Sequence, residues 1–358
     1  MMRPRCAPVF RTRSTPGRLT LRPLAAALIL MALTGCDNMS WGGFQWTLQS
    51  SARASDGTPE EGIDGEDIDL PPETPAGPVL FLVQRETGSG PGQASLIPLA
   101  SLAGDSLLPM LNDAGVPGVP ADFVENQLSE GRTFTLFSEG TRVGTFRSGG
   151  EVSTDSSYCL ARPRARGVVE VVPEAAESQT FLALRRDGGE VFRHGVFRPM
   201  ESTYDQRVAS LNLAGDLFPR LSAPWPPSVL DARSDLRIFA LDGSGAGAIA
   251  VTFMHRDALA VGPAQENAYA LFFIAENRAG GYEPGYVWYR PAADGKAAPR
   301  FVSHLDWNRD GSDGVLLEVQ GARSRWFAAA GRRGGAWQTV FEDPCGKAAS
   351  TGRAGALD

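Results

Sequence analysis

Residues 236–290 read LRIFALDGSGAGAIAVTFMHRDALAVGPAQENAYALFFIAENRAGGYEPGYVWYR. Four apolar runs stand out: LRIFAL (236–241), AIAVTFMH (248–255), AYALFFIAE (268–276) and GYVWYR (285–290). Each is short, rich in β-branched and aromatic residues, and fenced by Gly, Pro, Asn or Asp. That is the pattern of strands joined by turns. Downstream the rhythm continues with VLLEV (315–319), SRWFAAA (324–330) and AWQTVFE (336–342). Upstream it recurs in VLFLVQR (79–85), RTFTLFSEG (132–140), TRVGTFR (141–147), GVVEVV (167–172) and TFLALRR (180–186). Glu139-Gly140, between two alternating runs, signals a hairpin. Helical periodicity is confined to short pieces at 98–112, 121–129 and 205–217. Without a regular strand–helix alternation, a doubly wound sheet is not expected. The expected fold is mainly β, built of short antiparallel strands with a few short helices. The arrangement expected is one of propeller-like repeats, with a β-sandwich as the alternative.

Composition agrees. The 358 residues are 42% hydrophobic and 21% charged, an ordinary globular balance, and 41 Gly with 26 Pro favour turns over long helices. Net charge is −7. A nucleic-acid partner needs a basic face from which counterions are released, so none is expected. The strand rhythm breaks near 195–230, where Trp225-Pro226-Pro227 can neither continue a helix nor enter a central strand. The body is therefore divided into a first half, 78–200, and a second, 201–346, with a tail at 347–358.

The amino terminus reads as an address. Residues 1–22 hold six arginines and no acid, and the uncharged run LAAALILMAL (24–33) follows. A basic leader, an apolar core and small residues before a cut site form a secretory signal. Ten apolar residues are too few to span a bilayer as a helix. Leu33-Thr34-Gly35-Cys36 resembles the lipobox of bacterial lipoprotein precursors. The resemblance covers residues 1–36 and implies a signal peptide at 1–35, with acyl chains on Cys36 that hold the mature chain in a membrane. Two or three such chains suffice for stable anchoring. Asp37 resembles the enterobacterial signal for inner-membrane retention, a rule that does not extend to all bacteria, so inner and outer membrane stay open. Removing six arginines takes the net charge from −7 to −13. From 37 to 76 nine acids face one arginine, Arg53, among Gly, Pro, Ser and Thr. Such a stretch is expected to be an unfolded, self-repelling linker, 36–77.

Among chemical motifs, the most specific is Asp306-Trp307-Asn308-Arg309-Asp310-Gly311-Ser312-Asp313-Gly314, followed by VLLEV. Oxygen-bearing side chains at alternate places and a glycine for the sharp turn are what a calcium loop demands. The loop resembles that of integrin-type FG-GAP or VCBS β-propeller repeats, through Asp306, Asn308, Asp310, Gly311 and the strand at 315–319. The resemblance implies Ca²⁺ held by Asp306, Asn308, Asp310, Ser312 and Asp313. It departs from the repeats at Gly314, where many carry another acid. A partial echo, Asp242-Gly243-Ser244 before AIAV, lies 68 residues upstream of Asp310-Gly311-Ser312.

Gly104-Asp105-Ser106-Leu107 matches the short string of GDSL-type serine esterases. His194, His255 and His304 have Val191, Thr252 and Phe301 three places before them, so the Asp-x-x-His of that family is absent and Ser106 lacks its base. His255-Arg256-Asp257 is followed by Gly262 where a kinase catalytic loop has its asparagine. The glycines 243, 245 and 247 lead into a strand, which offers no helix terminus to a phosphate. The histidines show no zinc spacing. Cys159 and Cys345 are the two cysteines left outside the leader and lipobox, a pair suited to a disulfide in an oxidising compartment.

The function expected is that of a cell-envelope lipoprotein, exported and anchored on the periplasmic side, whose β-rich, non-enzymatic domain binds a partner, an envelope protein or a glycan, or contributes to assembly. Trp288, Trp307, Trp326 and Trp337 are candidates for its surface or its core. The competing expectation is an exported hydrolase using Ser106 or a dispersed His255/Asp257 pair.

Overall fold

The computed structural model describes residues 78–86, 92–104, 106–185, 196–243, 245, 247–349 and 354–355, all within one compact unit, Leu70–Asp358. The signal peptide, Cys36, the acidic linker, Asp105, His194 and most of the tail lie outside the described residues. The protein is mainly β, and its named sheets are antiparallel.

The first sheet closes into a barrel. Its strands are β1 (Val79–Arg85), β2 (Gln93–Ala103), β3 (Ser106–Leu108), β4 (Thr133–Ser138), β5 (Thr141–Asp155), β6 (Arg162–Val171) and β7 (Thr180–Arg185). They run in the order β1-β7-β4-β5-β6-β2-β3, and β1 pairs again with β2, so six strands form a ring and β3 hangs on β2. Alternate residues fill the ring: Phe81 and Val83, Ala94 and Leu96, Phe134 and Leu136, Phe146, Phe181 and Ala183. The short helix α1 (Phe123–Leu128) adds Phe123 and Leu128 to that interior. Their neighbours Leu80, Leu82, Ile97, Leu99, Leu182 and Leu184 point outward and are buried too. A strand covered on both faces loses its alternation, which is why VLFLV is continuously apolar.

The helix expected at 98–112 is instead the end of β2, then β3 and a loop. Pro98 sits beside a register shift in the β1–β2 pairing, at Leu80/Phe81, where a ladder tolerates a residue without an N–H. The helices expected at 121–129 and 205–217 are present as α1 and α2 (Tyr204–Arg220). Thr203 and Gln206 form a reciprocal capping box at the start of α2.

After α3 (Val229–Ala232) the chain makes two consecutive meanders. β8 (Arg233–Phe239), β9 (Ala248–His255), β10 (Tyr269–Arg278) and β11 (Gly281–Pro291) form one sheet, joined at its edge by β16 (Ala354–Gly355). β12 (Ala297–Leu305), β13 (Gly314–Gly321), β14 (Arg325–Arg333) and β15 (Ala336–Glu342) form the other, followed by α4 (Pro344–Ala349). The two sheets share a core of Phe239, Phe272, Ile274, Tyr286, Trp288, Leu317, Val319, Trp326 and Trp337. Residues 233–342 adopt the alternative, a sandwich, and not the propeller-like repeats expected first: the two meanders stack face to face over one shared core instead of circling an axis.

The outer face of the β8–β11 sheet is covered by α2 through Ala214, Leu217 and Phe218, packed on Val251, Phe253, Leu271 and Phe273. The outer face of the β12–β15 sheet lies against the barrel through Leu305, Trp307, Leu316, Phe327 and Ala329. Barrel, sheet, sheet and helix thus make successive layers. All four tryptophans offered as surface candidates are core residues, 1–6% exposed. Large rings with one polar atom suit such sites when the rest of the ring is packed.

Candidate functional site

Asp306–Gly314 connects β12 to β13. The loop is held by its own side chains. Asp306 Oδ2 accepts from the Gly311 amide at 3.0 Å, Asp310 Oδ1 accepts from the Ser312 amide at 2.7 Å, and the Asn308 amide donates to Asp310 Oδ2 at 2.9 Å. Gly311 takes the left-handed conformation, φ 89°, that the turn requires. Asp313 is buried, 2% exposed. Asn308, Asp310, Ser312 and Asp313 line one concavity of about 360 Å³, shared with the cations Arg332 and Arg333. Among the described residues no group of three or more His, Cys, Asp or Glu side chains is placed to hold a metal ion.

What Asp313 joins is a charged cluster at the junction of barrel and sandwich. Asp313 Oδ2 accepts from the Asp242 amide at 2.6 Å, and Asp242 Oδ1 accepts from the Asp313 amide at 2.6 Å. The two loops that echo each other in sequence are thus bonded reciprocally. His304, on β12, stands between Asp313 Oδ2 at 3.2 Å and Glu139 Oε2 at 3.3 Å, Glu139 being in the β4–β5 hairpin of the barrel. Burial alone would pull its pKa down, but the hydrogen bonds and charges of Asp313 and Glu139 prevail and raise it to about 9. At neutral pH it is an imidazolium with both nitrogens engaged, unable to act as a base. Arg332 bridges Asp242 and Glu276 and lies 5.0 Å from the Trp337 ring centroid, and the Trp337 indole donates to Glu276.

The other predicted residues are scattered. Ser106 opens β3 and its hydroxyl stands 3.5 Å from Arg333 Nη2. His255 stacks on Tyr269 at 5.0 Å between centroids, while Asp257 accepts from Lys296 Nζ at 2.7 Å, so that pair is not assembled as a dyad. Cys159 and Cys345 are joined as a disulfide across 186 residues. Beside it Tyr158 donates to Glu318 at 3.0 Å and stacks on Phe327.

A further concavity, besides the one at the Asp306–Gly314 loop, lies in a place the motifs did not indicate. A cleft of about 470 Å³ is formed by the β9–β10 loop (Ala264, Gln265, Glu266, Asn267, Ala268), the end of β11 and the turn after it (Tyr289, Pro291, Ala292, Ala293), with Pro224 and Tyr269. Tyr269 is 2% exposed, its hydroxyl donating to the Pro224 carbonyl at 2.8 Å; Tyr289 leans on it at 5.6 Å and is half-buried. Tyr269's pKa is raised by burial and the neighbouring Tyr289, and Tyr289's by burial and Asp294. The cleft has aromatic and alanine walls and a rim of amides with one carboxylate, Glu266. It can hold a ligand; it contains no nucleophile with a base. The only signal in sequence was the loop-like PAQEN (263–267), which says nothing of what it faces.

No protein-family model matches this chain, and no curated protein or solved structure matches it significantly.

Proposed function

We propose that this is a lipid-anchored protein of the bacterial cell envelope whose β-rich domain binds a ligand without transforming it. The anchor is the one implied by the lipobox at Cys36. The observation that supports binding over catalysis is the contrast between the two sites. The acid–base groups are engaged with one another, as in Glu139–His304–Asp313 and Lys296–Asp257. The cleft at Tyr289 is open and its walls are largely apolar with a few placed polar groups, the usual composition of a binding site.

The full-length protein tests both parts. Metabolic labelling with an alkyne-bearing palmitate, followed by detergent phase partition, should find the wild type labelled and in the detergent phase, and Cys36→Ala unlabelled and aqueous. A photo-crosslinking phenylalanine analogue at position 289 should capture envelope material that the same analogue at Val116, an exposed loop residue, does not. A wild type left in the aqueous phase overturns the anchor. Ester or peptide hydrolysis that disappears in Ser106→Ala or Asp257→Asn overturns the binding reading in favour of a hydrolase.

A further inference from the structure

The cleft's chemistry narrows what it could take. Its lining has no Arg, Lys or His, and its one charged side chain is Glu266. In a protein of net charge −7 that disfavours phosphates, carboxylates and other anions. A proline-rich peptide needs several parallel aromatic ridges with open faces. Here only Tyr289 offers itself, because Tyr269 is 2% exposed, packed against His255, Phe218 and Tyr289, with its hydroxyl donating to the Pro224 carbonyl. What one open aromatic face, a methyl-lined floor and an amide rim do suit is a neutral ring with an apolar face and a polar edge.

We propose that the Tyr289 cleft is a saccharide site, taking a neutral oligosaccharide whose sugar ring stacks on Tyr289 while Gln265 and Asn267 bond its hydroxyl or acetamido groups. The alanines at 264, 268, 292 and 293 leave room for an N-acetyl methyl that larger side chains would fill. The volume, about 470 Å³, falls within the roughly 300–1,000 Å³ of small-ligand sites. This assignment rests on the binding reading above and deepens it.

The test is titration of the full-length protein in detergent with chitotetraose and cellotetraose, followed by calorimetry and tryptophan fluorescence. Wild type should bind chitotetraose more tightly than cellotetraose. Tyr289→Ala should weaken binding at least tenfold, whereas Tyr289→Phe, which keeps the ring, should stay within threefold. Asn267 has φ 59°, so Asn267→Gly removes its amide without adding backbone strain and should weaken binding severalfold. Unchanged thermal unfolding shows that each variant is folded. Absence of binding by both sugars, or equal binding by Tyr289→Ala, overturns the proposal. If crosslinking from position 289 still captures envelope material that survives complete glycosidase digestion, the saccharide assignment fails while the binding reading stands.

Discussion

One nitrogen of the Arg162 guanidinium lies 2.7 Å from both carboxylate oxygens of Asp343, and the two side chains are 4% and 2% exposed. Arg162 also donates to the carbonyls of Pro98 and Leu99 in the barrel, while Asp343 accepts from the Phe327 amide in the sandwich. The pair clips one body to the other. Removing one partner of a buried ion pair leaves the other charge uncompensated, at a cost of about 3–5 kcal/mol. Asp343→Ala should lose that much in urea unfolding. Arg162→Met with Asp343→Leu should lose clearly less than the sum of the single variants. A single-variant loss below about 1 kcal/mol would contradict the clip.

Stability should fall on the alkaline side because of His304. Its folded pKa, about 9, lies above the ordinary 6.5, so between those values the folded chain holds a proton that the unfolded chain releases. Its stabilisation is complete below about 6.5 and disappears as pH climbs through about 9. Wild type minus His304→Gln, measured by chemical denaturation from pH 6 to 10, should shrink by about 3 kcal/mol across that window. A difference independent of pH would show that the imidazolium is not held between Glu139 and Asp313.

Reduction of Cys159–Cys345 should loosen the carboxyl end without abolishing the fold. On the chain-entropy account a bridge closing 186 residues contributes about 5 kcal/mol. Cys159→Ala with Cys345→Ala should lower the unfolding midpoint accordingly, and hydrogen exchange should rise first in α4 and β15. Exchange rising first in the barrel would contradict this order.

Arg290 invites the opposite change. It is 2% exposed, and among the described residues its Nε and Nη1 find no hydrogen-bond partner, like the Trp288 Nε1 two residues before it on β11. Burial lowers its pKa, opposed by Glu342 and Asp294. A guanidinium desolvated without acceptors is costly, so Arg290→Met should raise stability by about 1 kcal/mol. A loss of that size in thermal unfolding would show that Glu342 and Asp294 hold the charge better than their geometry indicates.

Strand content was legible because apolar runs with turn residues at their ends encode it locally. β1, β9 and β15 begin and end at the residues expected from sequence. β12 was missed because AAPRFVSHL mixes Pro, Arg and His into a strand whose pairing with β13 compensates for weak local preference. Closure of the barrel was not legible. It depends on β1 meeting both β2 and β7, and Leu80 faces Leu184 across a span that no local pattern reports. Asp306–Gly314 could be read as a tight acidic loop, but not that Asp313 would pair with His304. The Tyr289 cleft was invisible because its walls come from three turns whose proximity exists only in the folded chain.

A ring of strands has no unpaired rim. Each of the six barrel strands spends its ladder on neighbours in the same molecule, and β3 shields part of β2. Open strand borders are where chance meetings between copies turn into aggregates. Closure therefore withholds such borders in the first half of the body, leaving them to the outer strands of the sandwich.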